Sequence, residues 1–446
     1  MRTKTFRPYD QDSLLLMPPS LRDWVKPDGL AAFISDLVDT LDLAPFLAAH
    51  DDPRGMPPYH PAMMLKVLLY GYATGVRSSR RIEERLAGDV NFMFLAGQAR
   101  PDYKTIGEFR RRHLVAFGAL FIEVLALCDK AGLVKLGRVA LDGTKIAANA
   151  SRHKAMSYDR MVEREAELAA QVAAILREAE ATDAAEDKLY GDARGDELPP
   201  ELRTREGRLR KIREAKEALE REARERTGDP EALPEPKAQR NFTDPESKIM
   251  RSRTEGFVQA YNAGAVVDEK AQVIVATTLS ADPTDSRSLP ALVDAVEANT
   301  GRHPKRVLAD AGYCSAENIN HLKSAGIDGY IATGRESHGP SSSSSPRGRI
   351  PSGLTPTQRM ARKLSTKAGR AHYARRKAIV EPVFGQIKEA GGFRRFSLRG
   401  LGSVTGEWQL VCAVHNIGKL FRSGKASQAL PGWSHSAVRT SSWAMG

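Results

Sequence analysis

Residues 305–322 read KRVLADAGYCSAENINHL. Val307 and Leu308 lie in a strand-like run that ends on Asp310. Ala311, Gly312 and Tyr313 then break the pattern ahead of a helix for which Ser315 is the expected cap. A core strand that finishes on a carboxylate is informative, because in open α/β sheets ligands bind in the crevice beyond the carboxyl ends of the strands. Alone, Asp310 reads more readily as the cap of the next helix. Its meaning depends on what the rest of the chain places beside it.

Upstream, GRVALDGTKI (137–146) reads as a strand carrying Asp142, and FVQAYNAGAVVDEKAQVIVATTLS (257–280) as a hairpin turning at DEK. SRSLPALVDAVEANTG (286–301) reads as a helix, GYIATG (329–334) as a further strand, and a helical region over about 371–390 carries Glu381. Strand, hairpin, helix, strand, strand, helix is the order of an RNase H-like α/β domain with a mixed five-stranded sheet and flanking helices. In such a sheet the first and fourth strands are neighbours, so Asp142 and Asp310 would meet and a helix across them would bring Glu381. Each acid also has a bland reading: Asp142 as a turn residue before Gly143, Asp310 as a cap, and Glu381 as the ion-pair partner of Lys377 one turn earlier. Asp244, in TDPES, is a rival for the second position, although its Asp-Pro start reads more as a turn.

The chain resembles the DDE transposases of bacterial insertion sequences (the IS-four/IS-five-like superfamily), in the branch whose third acid lies in a Y-x2-R-x3-E-x6-K signature. The resemblance rests on YHPAMMLKVLLYGYATGVRSSRRIEERL (59–86), PDYKTIGEFR (101–110), LDGTKIAANAS (141–151), NFTDPESKIM (241–250), LADAGY (308–313), VEPVFGQIK (380–388) and RRFSLRG (394–400), in family order. The signature is imperfect. Glu381 and Lys388 keep their spacing, but Lys377 stands at the Arg position and Ala374 at the Tyr position, with Tyr373 and Arg376 each one residue early. Pro382 offers a reason for irregularity, since it has no N–H for the carbonyl of Ala378; the helix is expected to kink at Glu381 or to restart with Pro382 in its first turn.

What the resemblance implies is specific. Asp142, Asp310 and Glu381 are the expected catalytic acids and metal ligands, with Asp142 shared between two Mg²⁺ ions and Mn²⁺ able to substitute. Hard carboxylate oxygens suit such ions, and a two-ion site can activate an attacking oxygen and stabilise a leaving one. Water would cut at the element's terminal inverted repeats, and the released 3′-OH would then attack target DNA. Lys388, with Lys377, Arg376, Tyr373 and Lys145, is expected on the flanking phosphates. Two other readings stay open: a transposase-derived DNA-binding protein without activity, and an RNase H-like nuclease that cuts without joining.

Composition agrees with a nucleic-acid partner. The 446 residues carry a formal net charge of +12, and residues 341–423 hold 16 basic against three acidic side chains. A field of one sign repels itself unless it meets a polyanion. Residues 160–240 differ, with 17 basic and 21 acidic side chains rich in Ala, Glu, Arg and Lys. They read as a charged, coiled-coil-like helical insertion broken near YGDARGDELPP. The expected division is a helical DNA-binding and dimerisation domain over 1–130, a catalytic domain over 131–154 and 241–423, the insertion over 155–240, and a flexible tail from 424. In the first domain Thr105 and Glu108 suggest a capping box, and Arg77, Arg80, Arg81, Arg110 and Arg111 are candidate DNA contacts. GPSSSSSPRGRIPSG (339–353) reads as a low-complexity loop. MRTKTFRPYD lacks the apolar core of a secretory leader, LVAFGALFIEVLALC (114–128) is too short to span a bilayer, and three scattered cysteines suggest neither disulfides nor zinc. The expected setting is a bacterial cytoplasm, near the nucleoid, as a homodimer on paired ends.

Overall fold

The computed structural model describes residues 20–49, 57–178, 205–252, 256–334, 346, 351–430 and 433. Its centre is a six-stranded mixed sheet. β1 (Val139–Ala147) pairs antiparallel with β5 (Gly256–Asp268) over its whole length, from Val139↔Asp268 to Ala147↔Ala260. On its other side β1 pairs parallel with β7 (Arg306–Ala309), and β7 parallel with β8 (Asp328–Ile331). The far edge of β5 is shared: β4 (Lys248–Ser252) takes its first half and β6 (Ile274–Ser280) its second. The order is thus β4-β5-β1-β7-β8 with β6 also on β5. A small separate ladder joins β2 (Ala155–Ser157) to β3 (Gln239–Asn241).

β5 is buried continuously from Gln259 to Asp268 rather than at alternate positions, the pattern of a strand covered on both faces. Helices Leu289–Thr300, Arg375–Gly385 and Leu401–Arg422 supply the cover. The last also closes the edge at β6, where the Asn416 amide bonds both the N–H (2.9 Å) and the C=O (2.8 Å) of Ile274.

The N-terminal helices do not form a core of their own. Leu114–Lys130 lies along Leu401–Arg422, so closely at Gly406 that a Cβ there would stand 2.8 Å from the Leu114 carbonyl oxygen. One hydrophobic core runs from Val25 through the sheet to Trp433. The Tyr103–Arg112 helix starts three residues earlier than expected, because Asp102 rather than Thr105 is its cap and accepts from the Thr105 N–H at 2.7 Å. The expected tail also differs where it is described. Ala426–Ala429 is a helical turn with Leu430 buried behind it, and Trp433 packs edge-on against Phe33 with centroids 5.1 Å apart.

Helices Tyr158–Glu178 and Arg205–Thr227 pack on each other through a separate small cluster that includes Met161, Leu168, Ile212 and Leu219. Glu165 on one reaches Arg213 (2.9 Å) and Lys216 (2.5 Å) on the other, so part of the balanced charge is spent holding the pair together. YGDARGDELPP, most of the serine-rich loop and most of the C-terminal segment lie outside the described residues.

Candidate active site

Parallel pairing of Val139↔Val307 and Ala140↔Leu308 brings β1 and β7 to the same level, and Asp142 and Asp310 each stand two residues past a paired position. Asp310 follows the last β7 residue and accepts from the Gly312 N–H at 2.9 Å, capping a short 3₁₀ turn, Ala311–Tyr313. Ser315 caps the next helix, Ala316–Ser324, through the Asn318 N–H. The cap reading and the ligand reading of Asp310 are therefore compatible, since its second oxygen remains for other work.

Asp142 is mostly buried, with one oxygen on the Gly143 N–H (2.9 Å) and the other on Arg376 Nη1 (3.1 Å). Burial pushes its carboxyl up to about 6; the Arg376 charge opposes that shift and the Asp310 charge adds to it. Arg376 also stands 4.0 Å from Glu381, which is half-exposed. Its guanidinium thus sits between the first and third acids.

The helix carrying these residues explains why Arg376 faces inward. Lys367–Tyr373 and Arg375–Gly385 meet at Ala374, itself in the helical conformation, and Arg376 falls on the same face as the buried Ile379, Val380 and Val383. Arg376 becomes buried while Lys377 is exposed. Pro382 neither ends this helix nor opens a new one. The Ala378 carbonyl that it leaves without a donor is taken by Gln272 Nε2 at 3.1 Å, from the β5–β6 turn. The helix instead widens into a π turn, Gln386–Ala390, from which Lys388 donates to the Lys145 carbonyl at 2.8 Å. Tyr373 is half-buried at the end of the preceding helix, against the core.

Three further residues belong to this end of the sheet. Asp285, in the loop before Leu289–Thr300, bonds Asn262 Nδ2 and lies 3.4 Å from Lys145 Nζ. Gly143 makes room for it: a Cβ there would be 2.6 Å from Asp285 Oδ1. Tyr313 is fully buried, and the negative field of Asp285, Asp142 and Asp310 adds to burial in raising its pKa. The sequence offered little sign of Asp285, one of two aspartates in a polar loop (ADPTDSRS) with no periodicity. Asp244 is placed elsewhere: buried, it accepts from Tyr261 OH (2.7 Å) and the Gly400 N–H (3.2 Å), near the opposite end of β1.

The N-terminal arginines divide. Arg80 and Arg81 are exposed, Arg80 over the Tyr103 ring at 5.0 Å, and Arg111 is exposed but paired with Glu108 at 2.8 Å. Arg77 and Arg110, expected as DNA contacts, are used inside the protein. Arg77 donates to the Gly391 and Gly392 carbonyls and lies over Phe393, while Arg110, only 6% exposed, binds Tyr72 OH (3.3 Å), the Arg77 carbonyl (3.0 Å) and Ser79. The reason is Glu407, a buried acid from the far end of the chain that takes the Tyr72 hydroxyl at 3.2 Å.

The donors at the carboxyl edge are oxygens, which fits a hard divalent cation. Arg376 already holds positive charge between Asp142 and Glu381 in such an ion's place. Among the described residues no three His, Cys, Asp or Glu side chains yet converge on one point, so an ion shared by the three acids requires Arg376 to give way.

The fold is α/β around a mixed sheet, with Asp142 inside β1 and Asp310 just past the adjoining parallel strand β7. Residues 19–112 match the family described as Transposase domain (DUF772), and residues 234–417 match the Transposase DDE domain. The chain belongs to the DDE transposases of insertion sequences. Asp310 and Glu381 fall inside the second match and Asp142 before it. No curated protein and no solved structure matches the chain significantly. The DDE domain implies an RNase H-like fold, DNA as partner and divalent-metal chemistry. No helix among the described residues is long and apolar enough to cross a membrane.

Proposed function

We propose that the protein cuts DNA at the terminal inverted repeats of an insertion sequence and joins the freed 3′ ends to target DNA. The observation that carries this reading is the meeting of Asp142 and Asp310 at one level of adjacent parallel strands, with Arg376 linking Asp142 to Glu381. In the first step a water oxygen bonds to phosphorus, its proton goes to solvent, and the bond to the 3′ oxygen breaks to leave a 3′-OH. In the second, that hydroxyl attacks a target phosphodiester and displaces the target's own 3′ oxygen, so each step makes one P–O bond and breaks one. Asp142, Asp310 and Glu381 would hold Mg²⁺, or Mn²⁺ in its place, which supplies charge neutralisation at the attacked and leaving oxygens. Lys145, on β1, and Lys388, which donates to its carbonyl, would orient the phosphates flanking the cut, with Lys377 exposed on the helix that carries Glu381. The insertion helices offer a surface through which two copies would hold paired ends.

The DNA path leads along β1. Five residues of extended strand, about 17 Å, separate Asp142 from Ala147. There a cleft of about 310 Å³ is lined by Arg152, His153, Arg395 and Arg399. Arg395→Ala is expected to weaken DNA binding without changing sequence preference and to reduce the slope of log K against log salt by about one. Binding titrations at several salt concentrations measure both.

The reaction is tested with labelled duplex from the DNA flanking the gene, with Mg²⁺ or Mn²⁺, comparing wild type with Asp310→Asn. Cleavage and joining by the wild type that disappear in the variant, with DNA binding retained, support the transposase reading. Binding without cleavage by either protein would favour an inactive DNA-binding descendant. Cleavage without joining would favour a nuclease. Equal activity in both would remove Asp310 from the site.

A further inference from the structure

Asp285 is not needed by the three-acid reading, yet it faces the same edge of the sheet. Its Oδ1 is engaged by Asn262 and Lys145, whereas its Oδ2 takes no hydrogen bond among the described residues and lies 3.8 Å from where a Cβ at Gly312 would be. Asp310 Oδ1 lies 3.1 Å from that same spot. The second observation is Tyr313. Its hydroxyl is fully buried among Asp142, Asp285 and Asp310 and has no partner of acceptable geometry among the described residues. The Ser288 hydroxyl, which donates to the Asp285 carbonyl at 2.9 Å, lies near enough to the Tyr313 hydroxyl to favour its charged form but makes no hydrogen bond of good geometry with it. A buried hydroxyl without a partner costs about 1–3 kcal/mol, so a fold that keeps one at a cluster of acids points to a bound state that uses it.

We infer that Asp285 and Tyr313 form an outer layer of the divalent-cation site, Asp285 accepting hydrogen bonds from the waters of an ion held by Asp142 and Asp310, and Tyr313 orienting the carboxylates. The inference rests on the reading under Proposed function. Mg²⁺ and Mn²⁺ suit it because Mg²⁺ gives up its waters reluctantly, leaving donors for a free carboxylate oxygen. Both are positioning residues, acting through the ligands and their waters. A part-exposed Lys145–Asp285 pair at 3.4 Å contributes little to stability, so a purely structural role for Asp285 would leave metal affinity unmoved.

The test counts free Mn²⁺ by paramagnetic resonance as it is titrated into the full-length protein without DNA. Asp285→Asn is expected to weaken binding by about tenfold to a hundredfold, the range for outer-layer partners of metal sites. Tyr313→Phe should weaken it while raising Tm, since removing a buried hydroxyl that has no partner of acceptable geometry removes a cost, and it decides the matter should Asp285→Asn fail to fold. Asp282→Asn, in the same loop but bonded to Thr284, should bind as wild type. Wild-type affinity in both Asp285→Asn and Tyr313→Phe, with loss in Asp310→Asn, overturns this inference and leaves the proposed reaction standing. Wild-type protein that binds Mn²⁺ no better than Asp310→Asn overturns both.

Discussion

Asp142→Asn is expected to lower metal-dependent DNA cleavage by about a thousandfold or more, with DNA affinity within about twofold of wild type. A loss of that size corresponds to about 4 kcal/mol of transition-state stabilisation, the scale on which a bound cation contributes. The amide keeps the shape and can still accept from Gly143, but it removes the charge that an ion shared with Asp310 and Glu381 requires. The same substitution alters the pH response. Burial first, and then Asp310, hold the Asp142 carboxyl up to about 6 in the folded protein, above the value near 4 of an unfolded chain. The folded state therefore binds this proton more tightly. The stabilisation is fully present below about pH 4 and is lost as pH rises through about 6. In metal-free buffer the wild-type Tm should lose ground to that of Asp142→Asn between about pH 4 and 6, as measured by calorimetry. Because an ion needs the carboxylate, Mg²⁺-dependent cleavage should also fall away below about pH 6. A flat Tm difference across that window would remove burial as the dominant influence on Asp142.

Glu407→Ala is expected to destabilise the protein by about 3–5 kcal/mol, the cost of leaving buried charges and donors unpaired. Glu407 is 1% exposed and accepts from the Ser397 N–H (3.1 and 2.9 Å), the Leu398 N–H (3.1 Å) and Tyr72 OH (3.2 Å). Tyr72 in turn receives Arg110, whose charge has Glu407 as its buried counterpart. Removing the carboxylate strands a phenol, two backbone donors and a guanidinium together. For a chain of this size each kcal/mol moves Tm by roughly 2–4 °C, so a fall of about 10 °C is expected in a thermal melt. Glu407→Gln, which retains an oxygen acceptor, should lose less. The effect reaches the site as well. The segment that Glu407 holds runs beside the end of β1, where Phe396 N–H meets the Ala147 carbonyl (2.9 Å) and Ala147 N–H the Arg394 carbonyl (3.1 Å). A loosened segment would displace Arg395 and Arg399 from the cleft and weaken DNA binding along with stability. A Tm within 2 °C of wild type would show that Arg110 and Tyr72 are satisfied without this acid.

The sequence by itself determined the strand and helix order of the catalytic region and the place of its acids. These are properties of short stretches: apolar runs that stop on Asp142 and Asp310, a turn at DEK, and a helix that carries Glu381. It also determined the family, because the motifs recur in order along the chain. What it left to tertiary structure is whatever depends on helix phase or on a partner far away in sequence. Arg376 rather than Lys377 faces Asp142, because it shares the buried face of its helix with Ile379, Val380 and Val383, while Gln272, from another element, satisfies the carbonyl freed by Pro382. Arg77 and Arg110 resemble any basic DNA-binding residues until Glu407 and the Gly391–Gly392 carbonyls arrive from the other end of the chain and draw them inward. Asp285 gains its place because β1 gives up a side chain at Gly143 and β7 ends at the same level. Local periodicity reports which residues a strand or helix contains, whereas charge pairing and burial are set by distant segments that only folding brings together.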